Sequence, residues 1–262
     1  GKMPLLEKTF LCGDKKLNVR IWNSPEWDFE QFSRSHQIMF QLIGCYLSKL
    51  APALLHNGHI DIAYWHDDDS PITLYNENPH NRVILLNVKE SYWCQYVYQL
   101  AHELTHYFIG GTKDEHNNWF YESLAELASN YFLLEMSRIF STYGDSYADK
   151  FSSYQKTTEL SKSNDIASPS EWLKSHEADL CQNKTNRALN AEAAKLLLPY
   201  FQSKPDIWNI LLFAPHETCS LSELLGDWKA AIEDLEYITI NTFPVTLPGF
   251  KNYFQFETDS TI

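Results

Sequence analysis

Five residues near the middle of the chain, His102-Glu103-Leu104-Thr105-His106, set two imidazoles around a carboxylate in the order His-Glu-x-x-His. On a helix, side chains four positions apart lie one turn apart on the same face, so both imidazoles can grip one zinc ion. The carboxylate between them could then act as general base on a water activated by that ion. The surrounding segment, Gln95 to Phe108, has the pattern such a helix needs. At about 100° per residue, Val97, Leu100, Ala101, Leu104 and Phe108 fall within an arc of roughly 100°. Gln99, His102, Glu103 and His106 fall opposite them. The apolar stripe would anchor the helix in a core and leave the polar face for a metal; the competing interpretation is a satisfied pair of surface histidines.

Two histidines need a third protein ligand, and its position separates the zinc hydrolase types. The metzincin pattern requires Gly at 109 and His at 112, where this chain has Ile109 and Thr112. Asp114 and His116 follow within the connecting loop and are alternatives. Glu122 is the stronger choice. A helix from Trp119 puts it on one face with Ala125, Glu126, Ser129 and Leu133, so two carboxylates a turn apart point into an otherwise apolar interior. Burying them is costly unless a metal or hydrogen-bond donors compensate. If that face is open to solvent instead, both are ordinary surface charges.

His-Glu-Leu-Thr-His at 102 to 106, a short loop, then Trp-Phe-Tyr-Glu-Ser-Leu-Ala-Glu at 119 to 126 resembles the gluzincin pattern of zinc metallopeptidases, especially the peptidase-MA-like group. The likeness covers residues 95 to 135, about one-sixth of the chain. It implies that His102, His106 and Glu122 hold Zn2+, that Glu103 is the base, and that Glu126 orients His102. Ser123 stands where that group usually has glycine. The implied reaction is attack of water on a polarised peptide carbonyl, with Glu103 passing the proton to the leaving amine. Gluzincins tend to supply an oxyanion donor from a C-terminal helical lobe. Tyr143, Tyr147, Tyr154, His176, Tyr200 and His216 are the possibilities here, and spacing selects none. Such folds also bind extended peptide along a sheet edge, for which Thr73–Asn76 or Arg82–Val88 could serve. The Gly-x-Met-Glu-Asn string by which one aminopeptidase group reads a free amino terminus is absent from residues 53 to 94, which argues against that type.

With 44% hydrophobic residues, 15% aromatic residues and 262 positions, the chain has material for a sizeable core in one domain or two lobes. A formal charge of −13 and no Lys/Arg cluster argue against nucleic acid as a partner. The five cysteines are far apart and never in a C-x-x-C pair, so neither a disulfide framework nor a cysteine metal site is expected. No run reaches the length of a membrane helix. Gly1 reads as a tag remnant, and the absence of an apolar leader leaves the compartment open between cytoplasm and a secreted protein with a trimmed signal.

The remaining segments supply the scaffold. Residues 9 to 22 read as two strands around a Gly-Asp turn, and residues 26 to 50 as a long amphipathic helix stopped by Pro52. His59–Trp65 and Arg82–Val88 read as strands, and the His-Asp-Asp-Asp-Ser-Pro stretch between them as a loop. Trp119–Phe140 reads as a buried helix. Helices are expected near 185 to 201 and 205 to 213, and after capping boxes at Ser168 with Glu171 and at Ser220 with Glu223. The tail from Tyr237 could add a strand. The element pattern gives an α+β fold class, and the resemblance implies a zincin-like arrangement: a small N-terminal mixed sheet with the active-site helix over residues 1–160, then a mostly helical lobe over 161–262. The expected function is a zinc metallopeptidase acting on peptide or protein. The alternative is a catalytically idle zincin-like binding or structural protein.

Overall fold

The computed structural model describes residues 5–27, 33–50, 54–65, 72–75, 78–110, 116–166, 168–182, 186–203 and scattered positions from 208 to 227. The architecture is α+β. Two strands, β1 (Leu5–Cys12) and β2 (Lys15–Trp22), flank the Gly-Asp turn as the sequence predicts. A 3-10 turn at Pro25–Trp27 precedes α1 (Ser33–Lys49), so the helix expected from Glu26 begins later among the described residues. Three strands follow, β3 (Gly58–Tyr64), β4 (Ile72–Tyr75) and β5 (Asn81–Leu86). Then come α2 (Trp93–Ile109) and α3 (Asn118–Thr142). The helical second half consists of α4 (Ala148–Gln155), α5 (Glu159–Lys162), α6 (Pro169–Gln182) and α7 (Arg187–Ser203). The Asp-rich loop at 66–71 and the tail from Tyr237 lie outside the described residues.

The strand order is β1-β2-β3-β5-β4. β2, β3 and β5 run parallel, while β1 and β4 are antiparallel edges. Period-two alternation sends Leu17, Val19, Ile21, Ile60, Ile62 and Ile84 to one face, where all are buried. The opposite face carries a polar network. Asp61 accepts from Arg20 Nε at 2.8 Å and Trp22 Nε1 at 2.9 Å, and His59 Nε2 lies 3.0 Å away. Burial alone would raise the Asp61 carboxyl, but hydrogen bonds from Arg20, Trp22 and His59 outweigh it and hold the group below its ordinary value. A depressed carboxyl contributes stability that is present above the unfolded value of about 4 and lost as pH falls through the folded one. Asp61→Asn is therefore expected to flatten the acid limb of the stability profile, read by urea unfolding between neutral and acid pH; an unchanged limb would count against the network.

The chain divides into two compact units. One comprises Gly1–Tyr107 with Ala128–Lys156, the other Phe108–Leu127 with Thr157–Ile262. Within the first, α2 is fixed at several points. Tyr46 of α1 stacks on Phe132 of α3 with centroids 4.4 Å apart, and its hydroxyl lies 2.6 Å from the Thr105 hydroxyl. Ser129 Oγ of α3 donates to the Tyr98 carbonyl of α2 at 2.7 Å. Tyr107 Oη donates to the His80 carbonyl at 2.7 Å. That last contact needs Gly58: a Cβ there would overlap the Tyr107 hydroxyl and lie 3.1 Å from the His80 carbonyl oxygen. Gly58→Ala should destabilise the fold by about 1–3 kcal/mol, the usual cost of overpacking. A urea midpoint equal to wild type would refute that.

In the second unit, the Trp172 Nε1 of α6 donates to Glu192 of α7 at 3.1 Å, and Lys195 of α7 pairs with Asp165 at 3.2 Å. α6 begins at Pro169, the expected first helical position, and its first turn closes with Trp172 N–H donating to the Ser168 carbonyl at 3.0 Å. Of the two expected capping boxes, the one at Ser220 shows its side-chain bond, with Ser220 Oγ accepting from Glu223 N–H at 3.1 Å. No disulfide forms among Cys12, Cys45, Cys94 and Cys181. Among the described residues no helix is long and apolar enough to cross a membrane.

Candidate metal centre

α2 forms because its apolar residues recur at helical spacing, and it ends where Gly110 takes a left-handed conformation with φ of 83° that closes the last turn. Val97, Leu100, Ala101 and Leu104 are fully buried, as the stripe predicts. His102 and His106 are partly exposed on the other side, with Glu103 between them only 4% exposed. Gln99, one turn before Glu103, clamps the end of β5. Its Oε1 accepts from Asn87 N–H at 3.1 Å and its amide donates to Asn87 Oδ1.

α3 presents a narrow polar opening in an apolar cylinder. From Trp119 to Leu133 every residue is buried except Glu122 and Glu126. Ser129 lies on the same face and bonds α2, which fixes the rotation of α3 about its axis. The Ser123 hydroxyl turns back to the Trp119 carbonyl at 2.7 Å, so serine in place of glycine is satisfied within the helix.

His102, His106 and Glu122 each offer a ligand atom, and these atoms all lie within 4.8 Å of one another. They form the one such His/Cys/Asp/Glu group among the described residues. The two imidazole Nε2 atoms are 3.3 Å apart. Tetrahedral zinc with Zn–N bonds of about 2.0–2.1 Å requires ligand atoms about 3.3–3.4 Å apart. The donor set, two nitrogens and a carboxylate, is also one zinc takes in hydrolytic sites. The spacing of the two imidazoles and the chemistry of the donor set thus fit the ion.

Glu103 does not point to bulk water. Its Oε2 accepts a 2.5 Å hydrogen bond from the hydroxyl of Thr73 on β4, itself 8% exposed. The sequence singled out Thr73 only as part of an edge strand. β4 is indeed an edge, whereas β5, the other expected edge, is internal.

The other sequence-predicted residues scatter. His116 is exposed and outside the ligand group, and Asp114 lies outside the described residues. Tyr143 is 78% exposed at the end of α3. Tyr147 packs edge-on against Trp93 and accepts from the Cys94 thiol at 3.6 Å. His176 stacks on Trp172 at 4.8 Å, with Nδ1 2.8 Å from its carbonyl oxygen. Tyr154 lies edge-on to Tyr98, with ring centroids 6.3 Å apart, and Tyr98 is one turn before His102. The Tyr200 side chain and His216 are outside the described residues.

No protein-family model matches the chain, and neither does any curated protein. Among solved structures, the chain is similar to the crystal structure of an aminopeptidase N family protein from Idiomarina loihiensis. The identity is 13% and the TM-score 0.34, over 84% of this chain and 48% of that one. The chain thus spans about half the length of that structure, and a likeness this slight transfers no function.

Proposed function

We propose that this chain is a zinc-dependent hydrolase of peptide bonds, with His102, His106 and Glu122 as the metal ligands. The observation that carries the proposal is the convergence of those three ligand atoms, within 4.8 Å of one another, beside a buried glutamate. Zinc held there would polarise a scissile carbonyl and lower the pKa of a water. Glu103 is the group placed to take the proton from the attacking water and hand it to the departing amine. Glu126, a turn beyond Glu122 and partly exposed like it, is the second carboxylate of that face and the partner we assign to His102. An extended peptide is the substrate class, laid against β4, whose outer side can accept another strand.

Metal analysis of the purified chain, paired with a broad peptide screen, tests this. Stoichiometric zinc and cleavage of at least one peptide class are expected. Zinc without cleavage of any peptide would favour an idle zinc-binding protein, and a chain that takes up no zinc would end both proposals.

A further inference from the structure

We infer that Thr73 is a positioning residue for the base, an inference that rests on the hydrolase proposal above. β4 pairs with β5 so that Thr73 faces Ile84, and this register sends both side chains to the buried, helix-covered face of the sheet. There the Thr73 hydroxyl meets Glu103 Oε2 at 2.5 Å. The Thr73 hydroxyl is the donor and the carboxylate oxygen the acceptor. A bond of this length to a charged acceptor is among the stronger kinds.

Its consequence is geometric. A glutamate reaches its carboxylate through three side-chain torsions, and a helix restrains only the first of them firmly. With Oε2 tethered to β4, the swing of the carboxylate is restricted and Oε1 is the oxygen left to face a reacting water. The strand that holds the base is also the edge strand on which a peptide would lie. Substrate alignment and base alignment are therefore set by one element, and a peptide that seats β4 correctly also seats Glu103. Thr73 touches no reacting atom in this arrangement; it acts through Glu103.

The test uses the full zinc-loaded chain and a quenched fluorescent peptide chosen as one that the wild-type protein cleaves from a mixed-sequence library. Thr73→Val keeps the shape and removes the donor. It should lower kcat by about 10- to 100-fold, the scale of a misplaced catalytic group, and leave KM within about twofold. Zinc content should stay at the wild-type level, and Thr73→Ser, which restores the donor, should recover most of kcat. Thr73→Ala, which lacks the donor and cannot crowd Glu103, should reproduce the loss, so the test survives if valine disturbs the strand. In crystals of the metal-free protein, the Glu103 carboxylate should leave its wild-type position in the Val and Ala variants and keep it in the Ser variant. Wild-type kcat in Thr73→Val beside an inactive Glu103→Gln would overturn the positioning role and leave the base standing. Equal losses in the Val and Ser variants would also overturn it, by marking a packing defect. Full activity in Glu103→Gln, or a wild-type protein that cleaves no library peptide, would instead remove the hydrolase proposal and this role with it.

Discussion

Glu103→Gln should lower kcat by about 10² to 10⁴-fold, the range that a positioned general base contributes, while zinc stays bound at wild-type stoichiometry. The substitution is nearly isosteric. The Gln carbonyl oxygen can still accept from Thr73, now 2.5 Å from the carboxylate, so the side chain has reason to stay where it is. What it loses is the ability to take a proton. The imidazoles on either side of it in the sequence are untouched, and therefore metal content separates this variant from one that has merely lost its site. Paired measurement of kcat and bound zinc decides: a Gln variant with activity near wild type would show that another group removes the proton.

Glu122→Ala addresses the ligand set from the other helix. Loss of a hydrogen-bonded partner of a ligand costs about 10- to 100-fold in metal affinity, and loss of a charged ligand itself should reach at least the upper end of that range. Competition with a chromophoric chelator would measure it. A second signature comes from stability. A metal that binds only the folded state raises unfolding free energy by RT ln(1 + [L]/Kd), about 4 kcal/mol at a thousandfold excess over Kd. Added zinc should therefore raise the melting temperature of the wild-type chain and have a much smaller effect on Glu122→Ala at the same concentration. If the variant binds zinc as tightly as wild type, the third ligand lies elsewhere, and His116 becomes the next residue to replace.

Much of the scaffold for this site could be read from one-dimensional pattern. The stripe Val97, Leu100, Ala101, Leu104 and Phe108 is buried in α2, and α3 spans Asn118–Thr142 where Trp119–Phe140 was expected. Both are long helices, and a period of 3.6 repeated over several turns is hard to mistake. The pairing of the two motifs also carried information, because Glu122 follows His106 by sixteen positions and the Gly110 break gives the chain a place to turn. Thr73 was not legible in the same way. Alternation in Ile72-Thr73-Leu74-Tyr75 says that Thr73 and Leu74 face opposite sides, but not which side is covered. That depends on β4 lying antiparallel to β5 in the register Thr73 with Ile84, a long-range pairing with no local signal. The start of α1 was misjudged for a related reason. Trp27 falls inside the span expected to be helical, yet it is buried in a 3-10 turn with its indole bonded to the Val88 carbonyl at 2.8 Å. Tertiary contact, not propensity, decides its place. Among the proposed oxyanion donors, aromatic residues abound on helices throughout the second half, so identity and spacing could not discriminate among them.

Thr105 lies between the two histidines at a position where the His-Glu-x-x-His pattern makes no demand. Here it is fully buried, bonded to the Ala101 carbonyl at 2.9 Å and to the Tyr46 hydroxyl at 2.6 Å. Together with Tyr46 it works as a stop against rolling of α2 about its own axis. An imidazole nitrogen stands about 6 Å from a helix axis, so a roll of about 20° would sweep it through about 2 Å. That sweep is as long as a zinc–nitrogen bond. The unconstrained letter of the motif is thus where the pointing accuracy of the other three is set.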